Sequence, residues 1–310
     1  MIAVGIFLGS IFTVYGLECG LFVKYVASKL QRHTWKGSRR RIFLHILSIS
    51  GVLCFLYGYF IEPYWIEVTT VTIHTHKLTH HSLRLVQFSD THCDAMLRNE
   101  HHIVTIINNL KPDIIVFTGD TLNTRQALPA FQSLMKGLQA PFGKYAVKGN
   151  FDIWYWTDLD LFKDTGVTVL DNDALDLTIH GDRFVISGLS CAHPENYSTL
   201  LKDLTHDTYN IFLHHYPDLV EDVTTFPVDL YLAGHTHGGQ VALPFYGALV
   251  TLSKYGKRYE SGKYLIDNTL LYVNRGIGME GGAAPRVRFW ARPEITIFDI
   301  TPKAAVVDNR

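Results

Sequence analysis

The chain has 310 residues, 47% of them hydrophobic and 18% charged, with a formal net charge of −1. That length holds one large domain or two small ones, and the near-zero charge gives no whole-chain field to gather nucleic acid. Cys19, Cys54, Cys93 and Cys191 stand far apart with no C-x-x-C pair, which argues against a zinc ribbon or a disulfide framework.

Ile2 to Leu17 is an unbroken apolar run, and Glu18 and Lys24 are the only charges before Val26. Ile42 to Ile61 is a second run, long enough for a membrane helix of about 20 residues. Between them stand Lys29, Arg32, Lys36, Arg39, Arg40 and Arg41. The start is not basic and the basic cluster follows the first run, the reverse of a cleaved signal peptide. Attachment of residues 1–62 to a bilayer is the expectation, against two buried helices of a soluble domain. Two spans with the basic loop in the cytoplasm put the rest of the chain on the far side. A first segment lying in the interface leaves the rest in the cytoplasm.

Residues 63–82 read as a junction, with a weakly alternating edge strand from Glu67 to Ile73. His74, His76, Lys77, His80 and His81 look like a metal cluster. Their place beside an apolar segment suits a solvated patch against lipid head groups better.

From Leu83 short apolar runs alternate with helical stretches, the pattern of an α/β sheet. Strands are expected at Leu83–Phe88, Ile114–Phe117, Tyr145–Lys148, Val167–Leu170, Ile211–Leu213, Leu230–Ala233 and Ile295–Asp299. Hairpins are expected to turn at His180-Gly181-Asp182 and at Asp267-Asn268. Helices are expected at Arg98–Leu110, Leu128–Leu138, Asp158–Thr165 and around Leu219–Val223. One domain therefore covers residues 83–300, with a tail at 301–310.

The strand ends carry the chemistry. The apolar run Leu230–Ala233 stops at Gly234, and His235-Thr236-His237 follow. A glycine there lets the backbone turn and approach a ligand closely, so both imidazoles can aim at one point beyond the sheet edge. Alone, they are two loop histidines in a chain with 16. Four other strands end in Ser89-Asp90-Thr91-His92, Gly119-Asp120, Gly149-Asn150-Phe151-Asp152 and His214-His215. Asp90 could cap a helix and Asn150 could be a loop residue, but all five ends leaving apolar strands in one sheet direction point to a shared site. Carboxylate, imidazole and amide oxygen together suit Mn²⁺, Fe or Zn²⁺. So many ligands fit two ions about 3.5–4 Å apart, which activate water and neutralise charge on a phosphoryl group.

In order, D-x-H, G-D, G-N-x-D, H and G-H-x-H resemble the calcineurin-like metallophosphoesterases, over about Leu85 to Asp299. The resemblance implies an α/β fold, a β-sandwich flanked by helices with a dimetal site at the strand ends. It also implies a metal-dependent hydrolase with Asn150 and Asp152 at the reacting centre. One ion would take Asp90, His92, Asp120 and His237, and the other Asp120, Asn150, His215 and His235. His215 is chosen over His214 because His215-Tyr216-Pro217-Asp218 matches the H-x-P-D of a membrane-associated branch. The stretches G-H-T-H-G-G-Q-V and Leu271–Gly278 resemble the same branch.

One position departs from the family. Most members read G-N-H-D, with a histidine thought to assist the leaving group, and here it is Phe151. A departing alkoxide needs a proton, worth about 10²–10⁴-fold, whereas a departing phosphate does not, so a phosphoanhydride is the expected substrate. Family enzymes that hydrolyse UDP-2,3-diacylglucosamine also lack the histidine, reading G-N-R-D. The implied partners are a membrane lipid substrate and the bilayer, with no nucleic acid and no protein partner. A role in lipid A synthesis requires a bacterial inner membrane with the domain facing the cytoplasm. Arg275, Arg286 and Arg288 could clamp a diphosphate, or form salt bridges. Trp154, Tyr155 and Trp156 cannot all face one core, so at least one is exposed. Two alternatives remain: another membrane-linked phosphoesterase acting on a different phospholipid, peptide or wall intermediate, and a non-catalytic membrane adaptor that keeps its metals for stability.

Overall fold

The computed structural model describes residues 2–32, 38–79, 81–96, 98–281 and 286–303. Lys36, His80 and most of the 301–310 tail lie outside the described residues.

Each amino-terminal apolar run forms one helix, α1 (Ile2–Leu30) and α2 (Arg39–Phe60). At 29 residues α1 is about 44 Å long, and both helices are long and apolar enough to cross a membrane. They lie side by side and antiparallel, with Tyr15 Oη donating to the Ser48 carbonyl at 3.0 Å. No residue of α1 is buried, and in α2 only Ser48 and Gly58 are. The apolar surface of the pair is left uncovered by the rest of the protein.

The remaining elements follow in chain order: β1 (Glu67–Thr75), β2 (Leu83–Phe88), α3 (Glu100–Asn109), β3 (Ile114–Phe117), α4 (Leu128–Gly137), β4 (Lys144–Ala146) and α5 (Asn150–Tyr155). Then come β5 (Val167–Val169), β6 (Asp173–Ile179), β7 (Asp182–Gly188), α6 (Tyr197–Leu201), β8 (Tyr209–Leu213), α7 (Val220–Val223) and β9 (Leu230–Ala233). The chain closes with β10 (Ala242–Leu243), β11 (Gly247–Ala248), β12 (Gly262–Ile266), β13 (Thr269–Val273) and β14 (Glu294–Pro302).

Two six-stranded sheets pack face to face, one ordered β1-β14-β2-β3-β4-β5 and the other β12-β13-β9-β8-β7-β6. The inner strands are apolar on both faces, as strands covered on both sides must be. Leu83, Leu85, Ile114 and Val116 point inward onto Ile211, Leu213, Leu230 and Leu232 of the other sheet. Their neighbours Val86, Phe88, Ile115 and Phe117 point outward, under Ile103 and Ile107 of α3 and Phe131, Leu134 and Met135 of α4. On the far side Phe212, Tyr231, Leu271 and Val273 are covered by Leu201, Val220 and Val223. This is a mixed α/β fold, a sandwich of two sheets with helices outside, as the resemblance implies.

The structure corrects the sequence reading in several places. The five site-bearing strands are divided between two sheets: β2, β3 and β4 run parallel in one, β8 and β9 in the other. Asp158–Thr165 is not a helix; its bonds are i to i+3 turns such as Leu159 N to Trp156 O and Thr165 N to Phe162 O, and left-handed Asp164 and Gly166 close the segment. Conversely, α5 grows out of the G-N-F-D motif itself.

The sheet also reaches into the stretch read as a junction, because β1 pairs parallel with β14 along its whole length. Since β14 is antiparallel to β2, β1 begins at the edge where β2 ends. The end of α2 therefore meets the domain on the side of the strand-end residues. His74 and His76 lie at the other end of β1, roughly 25 Å away at about 3.3 Å per residue. They are exposed, but strand direction carries them away from the apolar helices, which overturns the head-group patch.

Candidate metal centre

Side chains from all five strand ends converge. Asp90, His92 and His237 place ligand atoms within 4.8 Å of one another, and Asp120, His215 and His235 do the same. Asp120 stands between the groups: its Oδ2 is 3.2 Å from His215 Nε2 and 3.6 Å from His92 Nε2. Asp90 Oδ1 is 3.5 Å from His237 Nε2 and 3.9 Å from His215 Nε2. Asn150 turns Oδ1 to within 3.1 Å of His215 Nε2. Such spacings are close to the separation of two ligands each about 2.1 Å from one ion.

The backbone works to make this possible. Asp90, His92, Asp120, His235 and His237 have φ of 48°, 38°, 58°, 70° and 52°, a left-handed region costing on the order of 1 kcal/mol or more for residues with a Cβ. Neighbouring bonds hold them there, including His235 N to Asp90 Oδ1 at 3.1 Å and Phe151 N to Asp120 Oδ1 at 2.8 Å. Gly234 is needed for space rather than for its dihedral angles. A Cβ there would fall on Ser89 Oγ and Asp90 Oδ2.

Outer bonds fix which imidazole nitrogen faces the centre. His215 Nδ1–H donates to the Thr118 carbonyl at 2.6 Å, and His92 Nδ1–H donates to Asn123 Oδ1 at 3.1 Å. His92 Nε2 and His237 Nε2 are then buried with no hydrogen-bond partner. Orphaned buried nitrogens are costly, and a divalent ion is a fitting partner for both. His214 is turned away, with Nδ1–H on the Leu189 carbonyl at 3.1 Å.

Burial and mutual charge set the protonation of these groups. Burial lowers His92 to about 4 and His235 to about 3. For His215 burial also acts downward, but Asp120 and Asp90 outweigh it and raise the imidazole to about 10. Burial pushes Asp120 up, and His215 and His92 overcome it to leave the carboxyl at about 2. Asp90 is pushed up to about 7, chiefly by burial. An ion held at His215 Nε2 would need that imidazole neutral, so metal binding there would release a proton.

Two expected site residues take other parts. Asp152 accepts from Gly149 N, Asp120 N, Thr121 N and Thr121 Oγ1 at 2.6–3.0 Å. Both oxygens are consumed in joining the β3 and β4 loops, so it positions Asp120 and Asn150 instead of meeting substrate. Arg275 is held by Glu67 at 2.7 Å and Glu294 at 3.2 Å, and these carboxylates neutralise it away from any diphosphate. Arg286 pairs with Asp94, and buried Arg288 donates to the carbonyls of Arg275, Gly276, Gly278 and Ala291. The arginine clamp is replaced by a structural brace. Of the three aromatics, Trp154 and Tyr155 are exposed, and Trp156 donates Nε1–H to the Leu122 carbonyl at 3.0 Å.

Asn123 was missed from sequence, although its place three residues after Asp120 was visible. Its Nδ2 donates to the carbonyls of His92 and Met279, which leaves Oδ1 to orient His92. Asn123→Ala is expected to weaken metal binding about 10–100-fold, read by titration of metal-stripped protein. Unchanged affinity would mean that His92 is oriented without it.

Beside the ligand groups lies a cleft of about 390 Å³ lined by Phe151, His235, His237, Gln240, Val250, Leu252 and Glu280. The Phe151 ring stands edge-on to His92 at 4.8 Å. Half-buried Glu280 has its carboxyl pKa raised, first by burial and then by Asp120.

Paired ligand groups across two sheets, opening on a cleft, define a metal-dependent hydrolase. Residues 83–239 match the calcineurin-like phosphoesterases, and the chain belongs to that family. It is 39% identical over 260 residues to YkuE, an uncharacterized metallophosphoesterase of Bacillus subtilis, covering 79% of this chain and 89% of that one. It is 27% identical over 318 residues to the UDP-2,3-diacylglucosamine pyrophosphatase LpxG of Chlamydia trachomatis, covering 80% and 93%. The phosphodiesterase YaeI of Escherichia coli is 27% identical over 280 residues, covering 85% and 99%. The family uses a dinuclear metal centre, for which the two groups are the candidate ligands.

Proposed function

We propose that this hydrolase cleaves the phosphoanhydride of a membrane-held lipid, and that the lipid is UDP-2,3-diacylglucosamine, giving UMP and 2,3-diacylglucosamine 1-phosphate. Asp90, His92, Asp120 and His237 hold one ion and Asp120, Asn150, His215 and His235 the other, with Mn²⁺ preferred over Fe or Zn²⁺. Bound ions supply an activated water and neutralise charge on the phosphoryl oxygens. The protein orients the ligands through Thr118, Asn123 and Asp152 and shields the centre with Phe151. The apolar pair α1 and α2 keeps the domain on the bilayer that carries the lipid.

Phe151 is the observation that carries the choice of bond. It fills the place of a leaving-group acid with a ring that has no proton to give, which suits a leaving phosphate. Resemblance to LpxG over most of both chains supports the same substrate. Purified full-length protein with Mn²⁺ is expected to release UMP from UDP-2,3-diacylglucosamine. Release only of p-nitrophenol from bis-p-nitrophenyl phosphate would sink the assignment.

A second reading, hydrolysis of a phosphodiester in another membrane lipid, is favoured by two observations. Glu280 offers a carboxyl of raised pKa in the cleft, able to protonate an alkoxide. The antiparallel pairing of α1 with α2 suits two spans, and the basic turn between them then points the domain away from the cytoplasm. A UDP-linked lipid requires the opposite orientation. Protease added to sealed right-side-out vesicles is expected to spare the domain; digestion there would remove the UDP-lipid and leave the phosphodiester.

A further inference from the structure

The end of α2 is stitched to the catalytic domain through residues 288–291. Gly58 O accepts from Arg288 N at 2.9 Å, and a Cβ on Gly58 would come within 2.8 Å of the Arg288 carbonyl. Tyr57 meets Phe289 edge-on at 6.1 Å, and Glu62 accepts from Trp290 N and Ala291 N at 2.9 and 2.6 Å. The other side of this segment is tied to the β10–β11 hairpin: Phe289 N donates to Gln240 O and Ala242 N to Phe289 O, both at 2.8 Å. Helix, segment and hairpin are three consecutive layers on the edge where the ligand groups converge.

The hairpin is polarised. Its base is buried at Ala242 and Ala248, while Phe245 at the tip stands in the open and Tyr246 lies beneath Lys257 Nζ at 4.2 Å. Trp290, which follows the Phe289 bonded to Ala242, is exposed too. Phe245 is three residues from Ala242, so it lies within about 11 Å of it along the chain. The stem has a second use: Gln240 before β10 and Val250 and Leu252 after β11 line the cleft beside His235 and His237. A stem joined to α2 through residues 288–291 and lining the cleft links α2 to the ligand groups.

We propose that the Val241–Leu252 hairpin enters the bilayer near α2 by its Phe245 tip, with lipid acyl chains lying along Val250 and Leu252 as the head group reaches the metal centre. The proposal rests on the reading that α2 lies in a membrane, and it holds for either lipid considered above. The occupant is the acyl region of a phospholipid bilayer: α2 fixes the domain at that surface, and the segment that holds α2 also holds the base of the hairpin whose tip leaves Phe245 exposed. Substrate is then drawn sideways out of the membrane rather than from solution.

The test uses full-length protein in phosphatidylcholine–phosphatidylglycerol vesicles, with flotation, tip fluorescence and turnover read on one preparation. Phe245→Trp is expected to add emission that brominated phospholipid quenches, taken as the difference from the wild-type chain. Phe245 does not line the cleft, so Phe245→Glu is expected to lower hydrolysis of vesicle-borne lipid about 10–100-fold and to leave soluble bis-p-nitrophenyl phosphate turnover at the wild-type rate. If the Phe245→Trp protein floats with vesicles but its added emission stays unquenched, the hairpin's role is overturned while membrane attachment stands. Protein that fails to float would overturn both.

Discussion

Asp120→Asn is expected to lower turnover of any phosphoester by at least about 10³-fold and to reduce bound metal to less than two ions per chain. The substitution keeps the shape and the Oδ1 acceptor that holds Phe151 N, but it removes the charge and puts an amide NH₂, which cannot ligate an ion, where Oδ2 faces His215 and His92. Asp120 lies between the two ligand groups, nearer to His215 but within 3.6 Å of His92. Losing its charge therefore weakens both places at once, where an end residue such as His237 would weaken one. Asp120 is also what raises His215, so the variant should leave that imidazole less basic in metal-free protein. Metal analysis and turnover of bis-p-nitrophenyl phosphate on the same sample check the expectation. A variant with two ions and wild-type turnover would show that the carboxylate is not shared, and a folded variant keeping its biological role without turnover would revive the adaptor alternative.

The strand ends were legible because the strands themselves were. Inner strands of a doubly covered sandwich are apolar on both faces, so Ile114–Phe117 and Leu230–Ala233, and Leu83–Phe88 apart from Arg84 and Gln87, stand out as short runs whose ends mark the residues that point out of the core. What local pattern cannot carry is which sheet a strand joins. Residues 230–233 and 114–117 look alike in sequence, and only packing across the sandwich sets them face to face. The same limit explains Arg275. An arginine beside glycines reads as a substrate contact until β1 and β14 bring Glu67 and Glu294 to either side of it. For β1 the weak alternation was right, but its direction, which decides whether its histidines are near or far from α2, is fixed by pairing with a strand more than two hundred residues away. The turns at 158–165 were misread for a local reason. Asp158, Asp160 and Asp164 favour turn geometry over a helix interior, and that preference prevailed over the apolar spacing of Leu159, Leu161 and Phe162.

Phe151→His is expected to raise hydrolysis of phosphodiesters with poor leaving groups by about 10²-fold or more, within the range for general acid catalysis, while changing cleavage of UDP-2,3-diacylglucosamine by only a few-fold. The position is favourable for this exchange. Phe151 is the second residue of α5, its backbone N is anchored on Asp120 Oδ1, and its ring already stands over His92 at 4.8 Å beside the cleft. An imidazole in that place needs no movement of the backbone to reach an oxygen leaving from phosphorus. The comparison should be run across aryl and alkyl leaving groups of rising pKa, because an added acid helps most where the leaving group is worst. Glu280→Gln makes the contrast sharp: if Glu280 is the proton donor of a phosphodiesterase, its loss should slow alkyl diesters and Phe151→His should restore them. If Phe151→His leaves alkyl diesters as slow as before, the missing proton is not what limits them, and Phe151 ceases to be a reason to prefer a phosphoanhydride.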